Sequence, residues 1–556
     1  MSKTSTREGG AIPPAALLFA VCWVFLAVDF SLQVYDEGSL LLGAREVAHG
    51  GMPLRDFWTA YPPGMFWLLA LAFKLFGEQL LVNRFMHAAF VLGISVAAYY
   101  LVLSVSHNRR WAIVGFLAVT LYAGAVRTSY GYPPVLCTLL GFLGFLSLFH
   151  GNSERHAVRA LLAGLSAGLC ALVRYDFAIY LVAASVVALV TRLQAAPAGN
   201  RNPAHFAKRL AIYGVGLLIP VLVGYGIVVG QVGASRAYAL LVDFPLRVYP
   251  RVRALPFSWP FAFFLRSSPS AWSLAWLLDD CSSLPIYLPF FAAPAGAVAG
   301  LVLVTTRPPK RMEGTLLLGL SILAMTLINQ YRVRSGEPQG WPLAVVGLVS
   351  AISLLSVASE ARRPLMRAAA RGCAFLLCVV LVPAMLYREG LLIRARYFRE
   401  TVPVSSPWAA GLRIAADQAS YNRLLEYLRD HRQAGERYLY SGVVDHDQLV
   451  FNDVLVYFLS GMRSPTYFPE LAPGVVDTSV AQSEIVRELD EHAVRTVVLY
   501  DWVSTEPNES SANKNIDIAD SHIRARYQTV ARFGSYAVME RKDEPLSGQT
   551  PPGHAY

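Results

Sequence analysis

Residues 158–192 read VRALLAGLSAGLCALVRYDFAIYLVAASVVALVTR, an apolar stretch broken once, by Arg174, Tyr175 and Asp176. A helix rises ~1.5 Å per residue and a bilayer core is ~30 Å thick, so one crossing takes ~20 residues. The stretch is long for one span, and each half is short. Read as one span it inverts every later segment and puts two arginine-rich clusters outside. Read as a hairpin of two it keeps them inside, and the hairpin is the expected reading.

Working outward, apolar runs recur at 11–31, 80–103, 111–129, 133–149, 158–173, 176–192, 210–230, 284–305, 314–330, 341–358 and 370–388. These predict an α-helical polytopic membrane protein of about eleven transmembrane helices. Across all 556 residues 55% are hydrophobic and only 15% charged, against ~25% charged in soluble chains, which excludes a soluble multidomain enzyme and a disordered scaffold. The net charge of +10 does not indicate nucleic acid. It lies in short loops at Lys3 and Arg7; Arg109 and Arg110; Arg155 and Arg159; Arg192, Arg201, Lys208 and Arg209; Arg307, Lys310 and Arg311; and Arg362, Arg363, Arg367 and Arg371. With the N-terminus inside, all of these face the cytoplasm, and the C-terminal region lies outside a plasma (inner) membrane. The run from Ala11 is longer than a signal-peptide core and is expected to stay as the first span. None of the six cysteines follows Cys378 and no CxxC occurs, so neither a disulfide framework nor a thiolate metal site is encoded.

The expected domains are a membrane domain over 1–390, an extracytoplasmic α/β domain over 391–545 and a disordered tail over 546–556. In the second, Tyr421–Arg432 and Ile485–Ala493 have helical spacing, while Arg437–Val443, Arg495–Tyr500 and Tyr527–Glu540 read as strands, the last folding around Gly534. No GxGxxG or GxxxxGK[ST] is present, which points to a binding or structural role for this domain.

The outer loops are 32–79 and 231–283. In the first, residues 35–64 read YDEGSLLLGAREVAHGGMPLRDFWTAYPPG. From Asp36 to His49 the positions Leu40, Leu41, Ala44, Val47 and Ala48 make one helical stripe, with Arg45, Glu46 and His49 elsewhere, predicting an amphipathic helix on the membrane surface. Asp36 and Glu37 suit a helix cap and first turn as well as chemistry, and spacing alone leaves both readings open. Gly50, Gly51 and Pro53 end the helix. Pro62–Phe76 predicts a second helix of ~22 Å, too short to cross, along or partly within the interface.

These residues resemble a family. An acidic pair after the first span, a short helix, then G-x-P-x-x-D-F and PPG-x-x-x-x-L-L-A-x-x-F-x-L-F-G leading to Arg84 is similar to the GT-C superfamily of membrane glycosyltransferases, which includes the protein O-mannosyltransferases and the lipid A aminoarabinose transferases. The resemblance implies an inverting glycosyltransferase that moves a sugar from a polyprenyl-phosphate donor to a hydroxyl acceptor on a lipid, glycan or protein. It makes Asp36 the catalytic base and Glu37 its assistant, because an acceptor hydroxyl loses a proton as it attacks and a carboxylate within reach accepts it. Asp56 and Tyr61 are candidates to orient the acceptor or sugar. The leaving lipid phosphate calls for cations, and Arg84, Arg127, Arg174, Arg251, Arg332 and Arg334 are the outward candidates. Arginines at span ends also snorkel without a ligand, and Arg174 beside Asp176 also reads as a neutralised pair. In YRVRSGEPQGWP (331–342), Ser335 and Gln339 stand where such enzymes carry an acid and a His. Some relatives hold a divalent cation beside the acidic pair, and this sequence neither demands nor excludes one; no cofactor beyond the lipid-linked sugar is called for. The competing class is a polytopic secondary transporter or lipid flippase, which calls for paired repeats and mid-span charges, whereas the charges here sit at span ends.

Overall fold

The computed structural model describes residues 10–26, 28, 32–126, 130–149, 156–195, 203–257 and 273–542. The first nine helices are α1 Pro14–Leu26, α2 Asp36–Ala48, α3 Gly64–Phe76, α4 Leu80–Ser106, α5 Arg109–Ala125, α6 Pro133–Phe149, α7 His156–Val173, α8 Tyr175–Gln194 and α9 Pro203–Val232. Further apolar helices follow at Leu274–Tyr287, Pro289–Thr306, Arg311–Val333, Glu337–Ser359 and Pro364–Tyr397. Among the described residues, eight helices are long and apolar enough to cross a membrane, with Leu274–Thr306 taken as one of them. The expected count of eleven is not reached on length, since α1, α5 and α6 have only 13, 17 and 17 residues. The disordered tail expected over 546–556 lies outside the described residues.

The opening stretch does fold as two helices. Arg174 takes extended backbone between them (φ −161°, ψ 102°), and α7 and α8 each qualify as a crossing. Packing of α7 on α9 depends on small residues. A Cβ on Gly164 would stand 2.0 Å from the Tyr213 carbonyl oxygen, and one on Gly216 would stand 2.4 Å from that of Leu161. Removing side chains at such crossings lets two backbones touch, which in lipid replaces the hydrophobic drive that is absent there.

Contacts between helix ends define two faces. At one, His107 Nε2 lies 2.8 Å from Glu313, Lys310 Nζ 2.6 Å from Glu360, and Arg209 donates to the Leu148 carbonyl. At the other, Gln79 donates to the Pro407 carbonyl, Arg55 to Gln231, and Arg334 to Glu506. The second face carries α2, α3, the helical turns between Ala234 and Arg253, and the C-terminal domain.

That domain has a four-stranded sheet in the order β3–β4–β6–β5, built from β3 Leu439–Val443, β4 Thr496–Tyr500, β5 Tyr527–Phe533 and β6 Tyr536–Arg541, after a separate antiparallel pair, β1 Thr401–Pro403 with β2 Arg413–Ala415. β3 and β4 run parallel and the rest antiparallel. The hairpin turns on Gly534 at φ +59°, as its left-handed geometry favours. Helix Ala419–Asp430 lies close to the expected Tyr421–Arg432, whereas Ser479–Glu491 begins earlier than the expected Ile485–Ala493. In the interior, fully buried His446 is pinned between Asp520 (2.6 Å) and the Tyr440 hydroxyl (2.8 Å).

Candidate active site at the junction of the two domains

α2 is the element that the sequence placed in the wrong setting. Its expected stripe exists, but the helix does not lie on a surface, because residues 37–45 are all buried. The polar side is covered by the C-terminal domain. Arg45, only 6% exposed, donates to the Tyr457 and Phe458 carbonyls (3.3 and 2.8 Å) and lies 3.9 Å from the Phe458 ring centroid. Glu46 pairs with Arg463. Val454 and Leu455 N–H donate to the Val34 carbonyl at 3.0 and 2.9 Å. Gly38 allows this docking, since a Cβ there would sit 2.4 Å from the Leu455 nitrogen. A charged face reads as solvated in a sequence, and here it is satisfied by carbonyls and rings that arrive some 410 residues later.

Asp36 is half-buried in the first turn of α2. The helix N-cap is Tyr35, with no side-chain capping bond, so Asp36 stands in the first turn and not at the cap. Among the described residues, its charge acts on Tyr35, Tyr61, Tyr132 and Glu470. Burial, reinforced by Asp36, pushes the Tyr61 phenol well above its ordinary value. Burial also pushes Tyr132 up to about 12, with Arg174 pulling down and Asp36 adding to the rise. Tyr61 therefore stands within reach of the Asp36 charge.

Glu37 does not serve as an open assistant. It and Arg84 are both fully buried, joined by two hydrogen bonds, Nε to Oε1 at 3.0 Å and Nη2 to Oε2 at 2.7 Å. The guanidinium also lies 4.4 Å from the Tyr130 ring centroid. Two charges taken out of water have to pair, so the expectation of Arg84 as a lipid-phosphate ligand is corrected to that of an internal counter-ion. Asp56 is likewise a loop-former: its Oδ2 accepts the Met52 N–H at 2.7 Å and it pairs with neighbouring Arg55.

Among the other cations, Arg174 contacts Asp176 at 2.9 Å with its side chain a quarter exposed, and it acts on Tyr132. Arg251 is exposed, with its Nε donating to the Arg247 carbonyl. Arg332 is exposed and reaches Asn329. Arg334 is committed to the C-terminal domain, donating to Glu506 at 3.0 and 2.6 Å, with Arg253 3.6 Å from the same carboxylate. Burial alone would push Glu506 up, but Arg334 and Arg253 outweigh it and hold the carboxyl below the usual range. Arg127 lies outside the described residues. Among the described residues, no group of three or more His, Cys, Asp or Glu is placed to hold a metal ion.

The residue that sequence reading missed is Glu470. It is 4% exposed and accepts the Tyr35 hydroxyl at 2.6 Å, while Phe451 packs on the Tyr35 ring at 5.3 Å. No local signal marks it, since Tyr-Phe-Pro-Glu-Leu carries no motif.

Residues 60–223 match the family model described as dolichyl-phosphate-mannose-protein mannosyltransferase. No curated protein matches the chain. Among solved structures, the chain is similar to the apo crystal structure of ArnT from Cupriavidus metallidurans, with TM-score 0.48 and 13% identity over 94% of this chain and 97% of that one. It is also similar to the arabinofuranosyltransferase AftD from Mycobacteria, with TM-score 0.47 and 16% identity over 95% of this chain and 42% of that one. The family match begins within the first loop and makes residues 60–223 similar to that mannosyltransferase family, in a chain whose long apolar helices are those of a multi-pass membrane protein.

Proposed function

We propose that the chain transfers a sugar from a polyprenyl-phosphate donor to an acceptor hydroxyl with inversion, and that Asp36 is the base. The observation that carries this reading is the setting of Asp36: a half-buried carboxylate where the membrane helices meet the C-terminal domain, with Tyr61 and Tyr132 under its charge. In the reaction the acceptor oxygen forms a bond to the anomeric carbon from the face opposite the phosphate, and its proton passes to Asp36. The carbon–oxygen bond to the phosphate breaks, and its electron pair leaves with the lipid phosphate. That group departs as an anion without needing an acid, so cations matter more than a proton donor. Arg174 and Arg251 are the described candidates to receive it, Tyr61 orients the acceptor, and Arg127 remains a candidate from sequence.

The extracytoplasmic setting is supported by charge. The short-loop clusters Arg109–Arg110, Arg192, Lys208–Arg209, Arg307–Arg311 and Arg362–Arg363 belong to the helix ends opposite the C-terminal domain, and short basic loops stay in the cytoplasm.

The test is mass spectrometry of polyprenyl-phosphate lipids from native-host membranes, comparing wild type with Asp36→Ala at equal abundance. Build-up of a lipid-phosphate sugar in the variant alone is the expected result, and its mass names the sugar class. Identical lipid profiles with a folded, abundant variant would refute the role of Asp36.

A further inference from the structure

The C-terminal domain delivers one carboxyl to the Asp36 turn. Glu470 follows Phe468 and Pro469 and shares a small cavity with Ser39, Phe57, Trp58 and Thr59. Its partner Tyr35 precedes Asp36 in the chain and is 435 residues away in sequence. Tyr35 is thus held twice by the same domain, at its ring by Phe451 and at its hydroxyl by Glu470. The ionisable groups acting on Glu470 and its surroundings are Tyr35 and Asp36 at the start of α2, Tyr61 from the first loop and Arg253 from the second.

We propose that Glu470 is a positioning residue of the acceptor site, supplied by the C-terminal domain, which fixes the Tyr35–Asp36 turn through the Tyr35 hydroxyl. This rests on the reading of Asp36 as the base. A carboxyl buried away from water and within reach of another negative charge favours its protonated form. Burial pushes Glu470 up to about 7; the Tyr35 hydrogen bond and Arg253 pull down, while the Asp36 charge adds to the rise. A neutral Glu470 adds no second negative charge beside the Asp36 turn. An ionised Glu470 would add a second, next to a donor that is itself an anion. The protonated form prevails below about pH 7, so the activity that depends on it falls as pH rises through that value.

The direct test uses the purified full-length protein and infrared titration of its carboxyl groups. A protonated-carboxyl band that disappears near pH 7 is expected in wild type and absent in Glu470→Gln. In Asp36→Asn the band titrates at lower pH, because the neighbouring charge is gone, and in Tyr35→Phe at higher pH, because a bond that favours the anion is gone. If no band is lost in Glu470→Gln, or if Asp36→Asn leaves the midpoint in place, the two carboxyls are not coupled and the proposal fails. Turnover of the native donor lipid in host membranes separates positioning from bulk stability. Glu470→Gln, a mimic of the neutral acid, should lose the decline above pH 7, whereas Glu470→Ala, which leaves the Tyr35 hydroxyl without its acceptor, should turn over about tenfold more slowly at every pH. Coincident pH profiles for wild type and Glu470→Gln would overturn the proposal. Full turnover by Asp36→Asn would instead remove the base reading, whatever the titration of Glu470.

Discussion

The Glu37–Arg84 pair yields the most discriminating prediction, because the resemblance and the structure assign Arg84 opposite jobs. Both side chains have no exposed surface. Arg84 uses two nitrogens on two oxygens of Glu37 at 3.0 and 2.7 Å, and Asn83 reaches the same carboxylate at 3.4 Å. Removing one member of such a pair strands the other charge without water, at a cost of about 3–5 kcal/mol, whereas replacing both with apolar groups is close to neutral. Arg84→Met and Glu37→Leu should therefore each destabilise by about 3–5 kcal/mol, and the double variant should recover most of that loss. The assay is reversible unfolding in mixed detergent–SDS micelles, run as a double-mutant cycle. If Arg84 is instead a phosphate ligand, Arg84→Met unfolds like wild type, shows no coupling to Glu37→Leu, and raises KM for the donor lipid. That pattern would refute the internal counter-ion.

Gly38→Ala places a methyl 2.4 Å from the Leu455 nitrogen, so α2 must shift from the C-terminal domain; a loss of about 1–3 kcal/mol is expected in the same unfolding assay, with faster proteolysis between the two domains. Glu506→Ala leaves Arg334 and Arg253 facing each other without their shared carboxylate, and hydrogen exchange should rise in 249–257 and 505–512 while the sheet stays protected. Asp453, fully buried, is pushed by burial up to about 6, with nearby Tyr421 and the hydrogen bond from the Val456 N–H opposing the rise. A carboxyl raised in the folded state favours folding fully only below its unfolded value, and that contribution is lost as pH climbs through about 6. Asp453→Asn should therefore stabilise the protein above pH 6 by about 3 kcal/mol at most and do little or harm below pH 4, read as unfolding midpoints across that range.

Much of the fold was legible because its signals are local. The Arg174 break is visible in eight letters of sequence, and an Arg and an Asp two positions apart inside an apolar run have few resting places other than a turn at a helix end. The sheet was legible for the same reason: Thr496–Tyr500 and the strands around Gly534 carry their alternation and turn residue within a dozen positions. The number of crossings was less legible. Hydropathy marks which residues avoid water without marking whether lipid or protein replaces it, and α5 and α6, at 17 residues each, fall where that distinction matters.

The site divides along the same line. Asp36 and Tyr61 lie in one loop, so a short motif could bring them together. Glu37 reads as the assistant of Asp36 because the two are neighbours, yet adjacent helix positions point about 100° apart: one stays half-exposed while the other is sealed against Arg84 on α4. The sequence contained the answer in that angle, but it becomes decisive only once the position of α4 is known. Glu470 is harder still, since its assignment depends on the C-terminal domain docking onto α2 through Val34, Gly38 and Arg45. That docking also alters what the domain is for. Without a nucleotide motif it reads as a binding or structural appendage, but it buries the helix behind Asp36 and holds the preceding tyrosine, which on the proposed reading sets the geometry of the reaction. Weakening the docking at Gly38 should then slow turnover without touching any group that contacts substrate, and a Gly38→Ala variant with displaced domains but wild-type turnover would show that the site is complete without the C-terminal domain.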